Sequence, residues 1–198
     1  MANRLKDNAK HPKAASSLAE AEALALDILK LSRNTLMVHL RFLQPALCAL
    51  DLETDPETTM ATDGSFIYYQ FLHILRLYQV QKELVMRDYL HVVLHCIYHH
   101  PFVGKQVDPD LWNLSCDIAV EAVITELDLP DTACTRTNGQ AGIIEALQRE
   151  LPLLSAEAIY HYFKTMDWDP ETIYTMRDSF YADDHHIWYH LTEHPDEQ

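Results

Sequence analysis

The chain has 198 residues, 48% of them apolar, and a formal net charge of −15. That length and apolar share suit one globular domain with a sizeable core and exclude a disordered chain. The acidic balance argues against a nucleic-acid partner, because neutralising phosphates needs a basic face, and no run of eighteen apolar residues marks a membrane span.

Residues 1–15, with Arg4, Lys6, Lys10 and Lys13, read as a flexible, solvated start. No apolar region follows them to make a signal peptide. Residues 16–50 read as one long helix or two in series, capped at Ser16 or Ser17, with Glu20 placed to complete a capping box with Ser17. Leu24, Ile28 and Leu31 recur at helical spacing, as do Leu36, Leu40 and Leu43, and Pro45 should bend or end the second part. The acidic, turn-rich stretch 51–64 reads as a loop, and "SFIYYQF" (65–71) as the best strand in the chain.

Helical patterning returns over about 71–78 and 81–99, where Pro101 stops it. Residues 108–129 form a helix with Asp108 as N-cap and Pro109 in the first position, closed by Pro130. "DTACTRTNGQ" is a loop, and three short helices are expected near 140–150, 155–166 and 170–181. Residues 183–198 read as a polar tail around an apolar knot at Ile187–Tyr189, leaving 16–182 as the domain. The expected class is mainly α with a small β element. Cys48, Cys96, Cys116 and Cys134 are scattered, which suits buried, reduced thiols in a cytoplasmic protein.

Chemistry concentrates in "RDYLHVVLHCIYHH" (87–100), where His91 and His95 stand four apart in an apolar run. Four residues advance a helix by about 6 Å and about 400°, so both imidazoles project from one face. Two such rings can share one zinc at about 2.0–2.1 Å each. On spacing alone the pair is a weak motif, and core or surface histidines are the commoner outcome. In the next helix Asp110, Asn113, Asp117 and Glu121 form one polar stripe, ordinarily a solvated face. Consecutive helices joined by a short loop tend to pack antiparallel, which would bring Asp117 opposite the histidines. Two histidines and one carboxylate leave a fourth position for water, the arrangement of a catalytic zinc.

The segment "YLHVVLHCIYHHPF" followed by "DPDLWNLSCDIAVEAVI" resembles the metallopeptidase domain found upstream of VWA-like domains in many bacterial proteins. Further matching stretches are "RNTLMVHLRFLQPAL" (33–47), "ATDGSFIYY" (61–69), "LSAEAIYHYF" (154–163) and "DDHHIW" (183–188). The resemblance implies a zincin-like fold, with "SFIYY" as a strand edge beside the histidine helix. It implies zinc held by His91, His95 and Asp117, with His100 as an additional histidine. It also implies a peptide or protein substrate or partner, such as a VWA-like domain or a MoxR-type AAA ATPase, and a native chain that can continue past Gln198.

Val92 departs from the pattern, since zincins carry a glutamate base at that position. Loss of a general base typically costs about 10²–10⁴ in rate. Glu121, one turn beyond Asp117, is the candidate catalytic base in its place, or else a fourth ligand. Asp88 could orient the His91 ring, or be a solvated charge at the helix start. Asp183, Asp184, His185 and His186 could fold over the site as ligands or lid, or form a polar surface tail. His99 suits the negative end of the helix dipole. Three functions stay open: a zinc peptidase, an inactive pseudo-peptidase serving as a metal-containing binding module, and a helical domain without metal.

Overall fold

The computed structural model describes residues 12–102 and 106–190. The flexible start expected over 1–15 lies mostly outside them, as does the end of the expected tail, 191–198. Helix α1 runs Pro12–His39. Ser17 is therefore inside the helix and not at its cap, and the Ser16 hydroxyl donates to Glu20 at 2.9 Å. The stripe that α1 buries is Ala25, Ile28, Leu29 and Leu36, with Leu40 buried just past its end, while Leu24 and Leu31 face outward at 54% and 55% exposure. The helix breaks before Leu40, and Pro45 sits in the first turn of the short α2 (Gln44–Leu47), where its missing N–H costs nothing.

The stretch 51–64 corrects the loop expectation. It contains β1 (Asp51–Thr54) and β2 (Met60–Thr62), which flank β3 (Phe66–Tyr69) in the order β1-β3-β2. β1 pairs parallel with β3, Asp51 opposite Phe66, and β2 pairs antiparallel, Met60 opposite Tyr69. Acidic side chains on β1 hid the strand: its burial pattern is almost wholly exposed, as an edge allows. The β2–β3 turn is fixed by the Asp63 carboxylate, which accepts from the Ser65 and Phe66 amides at 2.8 Å. Gly64 is required there: its φ is 91°, and an added Cβ would stand 2.6 Å from the Phe102 ring.

α3 (Phe71–Val80) leads into α4 (Lys82–Ile97), which buries every residue from Leu84 to His95. His99 then adopts the left-handed conformation, φ 59°, and turns the chain so that His100 returns against His95. α5 (Pro109–Leu127) starts as expected, with the Asp108 carboxylate accepting from the Asp110 and Leu111 amides. It ends at a left-handed Asp128. α6 (Thr137–Glu150) begins three residues earlier than expected, and α7 (Ala156–Thr165) and α8 (Pro170–Phe180) follow.

Two apolar clusters meet on α5. One joins α1, the sheet, α3 and α4 to Val120 and Ile124. The other packs Trp112, Leu114, Ile118 and Ala122 against α6, α7, α8 and Trp188. With apolar neighbours on both sides, α5 holds the Asp117 and Glu121 part of its polar stripe in the interior. That interior seam, between α4 and α5, is where the histidines lie. The structure is thus mainly helical with one small sheet. All four cysteines are free, but only Cys116 and Cys134 are buried; Cys48 is exposed and Cys96 half-buried. Among the described residues no helix is long and apolar enough to cross a membrane.

Candidate metal centre

One helical turn separates His91 from His95, and both present Nε2 to a single point. Asp117 meets them from α5: its Oδ1 lies 3.4 Å from each Nε2. Asp183, from the segment after α8, brings Oδ1 to 3.4 Å from His91 Nε2 and 3.7 Å from His95 Nε2. One donor atom from each of the four falls within 4.8 Å of all the others, and all four side chains are buried. His185 borders the same point, its Nε2 3.2 Å from Asp117 Oδ1 and 3.1 Å from Asp183 Oδ1.

These donors fit an ion. Four atoms at about 2.0–2.1 Å from a tetrahedral zinc stand about 3.3–3.4 Å apart, close to the observed separations. Nitrogen and carboxylate oxygen are also donors that zinc accepts. Moreover, His91 Nε2, His95 Nε2, Asp117 Oδ1, both Asp183 oxygens and His185 Nε2 are buried without a hydrogen-bond partner among the described residues. A cluster of buried, unpartnered polar atoms is costly unless something satisfies it, and one cation would satisfy most of these at once.

Behind the donors lies a second set of groups that aims them. His91 Nδ1 is 2.8 Å from Glu121 Oε1. An ionised carboxylate only accepts, so Nδ1 carries the proton and Nε2 keeps its lone pair for the centre. Arg87 donates from Nε to Glu121 Oε2 at 2.7 Å, and a terminal nitrogen is ion-paired with the same oxygen at 2.7 Å. It also donates to the Thr132 carbonyl at 3.1 Å and the Thr125 hydroxyl at 3.0 Å. Arg136 pairs with Asp88 and lies 3.6 Å from Glu121. His95 Nδ1 meets His100 Nδ1 at 2.8 Å, so one of them donates and the other accepts.

The electrostatics follow from this packing. Burial disfavours charge on His91, but the surrounding carboxylates of Asp117, Asp183 and Glu121 outweigh it and hold its pKa well above the usual value. His185 is raised to about 10, against burial, by Asp117 and Asp183. His95 is lowered to about 4, by burial first and by His91 and His185 as like charges. His100 falls to about 3, from burial and then His95. Burial opposes ionisation of Asp117, Asp183 and Glu121, yet the neighbouring cations keep all three ionised, Glu121 at about 2. Burial raises Asp88 despite the adjacent Arg136.

His91, His95 and Asp117 are thus brought together. Asp183 joins them, and His185 borders them. Asp184 faces away, into the β1–β2 loop, and His186 is exposed. Glu121 stands behind the His91 ring, not among the converging donors, and Asp88 reaches His91 only through Arg136 and Glu121. His100 supports His95 without entering the cluster. Asp110 is exposed and pairs with Arg177 at 3.0 Å, and Asn113 accepts from the Tyr189 hydroxyl. Arg87 and Arg136 were not singled out from the sequence. The only hint was a pair of opposite charges, Arg87–Asp88, inside an apolar helix. The expected strand edge also differs: β3 is the central strand, and the edge nearest the site is β2.

Residues 29–194 match the model of a family described as a putative metallopeptidase domain. No curated protein and no solved structure matches the chain.

Proposed function

The chain belongs to that family, described as a putative metallopeptidase domain, and we propose that within it the protein is a metal-containing binding module. The ion is zinc, held by His91 Nε2, His95 Nε2, Asp117 Oδ1 and Asp183 Oδ1. Asp183 carries this reading. A set of four protein donors leaves no position for water, which is the pattern of structural rather than catalytic zinc. Val92 is 0% exposed, within the apolar core, and offers no proton acceptor.

When bound, zinc supplies Lewis acidity and lowers the pKa of a coordinated water toward about 7, provided a position is open. The chain's own residues do the rest. Glu121 holds the His91 tautomer. Arg87 and Arg136 compensate the Glu121 charge, and His100 holds the His95 ring. Glu121 is assigned here to orientation rather than proton transfer, because one oxygen is engaged by His91 and the other by Arg87.

A peptidase is the second reading, supported by the spacing of the three donors on α4 and α5: without Asp183 they form the open, three-ligand set of a hydrolytic zinc. The partner class we assign to the module, from the sequence resemblance, is a VWA-like domain or an AAA ATPase.

The test is the metal content of untagged protein by elemental mass spectrometry. About one zinc per chain is expected, lost in His91→Ala/His95→Ala, with no cleavage of a broad peptide library by the loaded protein. Absence of metal after zinc is supplied would contradict the metal centre; cleavage would decide for the peptidase.

A further inference from the structure

The segment after α8 is built as two devices in sequence. Asp183 has both carboxylate oxygens buried and unpartnered, so its side chain is committed to the centre and to nothing else. Its neighbour Asp184 does the mechanical work. One Asp184 oxygen accepts from the Thr58 hydroxyl at 2.6 Å, the Thr59 amide at 2.7 Å and the Thr59 hydroxyl at 3.0 Å. The other accepts from the Tyr181 hydroxyl at 2.5 Å.

The same segment also closes the β2 edge. The Asp184 amide donates to the Met60 carbonyl at 2.7 Å, and the Trp188 indole donates to the Thr62 carbonyl at 3.0 Å. Met60 and Thr62 are two apart in a strand, so their carbonyls point the same way, away from β3. A strand edge of this kind pairs readily with another extended chain unless it is covered. Here the protein's own segment covers it and places a carboxylate on the centre from the same few residues.

We propose that residues 181–189 are a detachable seal: Asp183 is the removable ligand, and the Asp184 clamp on Thr58, Thr59 and Tyr181 decides whether the centre is closed or open. The proposal rests on the metal centre described above. With the seal in place the ion has four protein donors and the β2 edge is filled. With it released, His91, His95 and Asp117 still hold the ion, one coordination position opens, and the Met60 and Thr62 carbonyls become available to an incoming extended chain. The clamp is suited to release because it lies near the surface: Tyr181 is 47% exposed, whereas the ligands it controls are buried.

Cobalt(II) in place of zinc makes the test visible, since its absorption spectrum reports coordination number. The probe is acetohydroxamate, which needs open positions on the ion. In the unaltered protein the cobalt spectrum should resist millimolar acetohydroxamate. In Asp184→Ala the cobalt should remain near one per chain, and the apparent hydroxamate affinity should rise at least about tenfold, in proportion to the open fraction. Thr58→Val/Tyr181→Phe, which leaves Asp184 in place, should show a smaller rise in the same direction and decides the matter if Asp184→Ala does not fold. Hydrogen exchange at residue 184 should accelerate while the α4 amides stay protected.

An equal hydroxamate response in all proteins, with cobalt bound, would overturn the seal and leave the metal centre standing. Loss of cobalt from the folded clamp variants would also overturn it, since Asp183 would then be indispensable rather than detachable. No cobalt in the unaltered protein would refute the metal centre itself, and the seal with it.

Discussion

Glu121→Gln separates orientation from proton transfer. The substitution keeps shape and replaces a charged acceptor by an amide. Two losses follow. His91 Nδ1 loses its ionised partner at 2.8 Å, so the tautomer that aims Nε2 at the centre is no longer enforced. Changes of this kind behind a ligand typically cost about 10–100-fold in metal affinity, or about 1.4–2.7 kcal/mol.

Arg87, 1% exposed, loses its counter-charge and keeps its bonds to Thr132, Thr125 and the backbone carbonyl of residue 121. Breaking one side of a buried ion pair costs about 3–5 kcal/mol. Adding Arg87→Met to Glu121→Gln should therefore recover much of the stability, because the stranded charge is gone, without recovering metal affinity. Affinity is read by competition with a chromophoric zinc chelator, and stability by urea denaturation of the metal-free protein. Unchanged zinc affinity in Glu121→Gln would refute the orienting role.

Other outcomes follow from the same geometry. Val92→Glu would bury a carboxylate in the core; an upward pKa shift of about 3–5 units corresponds to about 4–7 kcal/mol, comparable to a whole domain's stability of about 5–15 kcal/mol. A large drop in the urea midpoint is expected, and a stable, newly active peptidase would contradict it. Trp188→Ala should destabilise by about 3–5 kcal/mol and Trp188→Phe by about 1 kcal/mol; equal small effects would argue against Trp188 as the seal's anchor.

In the metal-free protein His185, raised to about 10, contributes stability that is complete below its unfolded pKa of about 6.5 and is lost as pH rises toward about 10. The protons held on the His91 and His185 side compete with an ion, so zinc binding should release protons and tighten as pH rises toward about 10. Titration calorimetry in buffers of different ionisation enthalpy reads this, and buffer-independent heats would contradict it. On the acid side, His95 and His100 bind protons more weakly folded than unfolded. Their contribution is present above about 6.5 and is lost as pH falls toward about 4 and about 3. A metal-free protein whose urea midpoint stays flat from pH 6.5 to pH 4 would contradict these depressed values.

Periodicity made α4 and α5 legible because apolar residues surround them on most sides, and the spacing of His91 and His95 follows from helix geometry alone. Asp117 was harder. A polar stripe looks the same in sequence whether it faces water or a second core. Only the packing of α6, α7 and α8 on the far side of α5 decides that it is interior. Asp183 lies 66 positions beyond Asp117 in the chain, and nothing local distinguishes it from Asp184, which does a different job. The Arg87–Glu121–Arg136–Asp88 network is a product of tertiary proximity, with partners 34 and 48 residues apart. β1 and β2 escaped notice because edge strands tolerate acidic residues and three-residue strands carry no period.

The most direct test of the account is anomalous diffraction at the zinc edge from crystals of zinc-loaded protein. The account predicts one strong peak per chain within bonding distance of His91 Nε2, His95 Nε2, Asp117 Oδ1 and Asp183 Oδ1. No peak at that point, or a peak held by other residues, would contradict it.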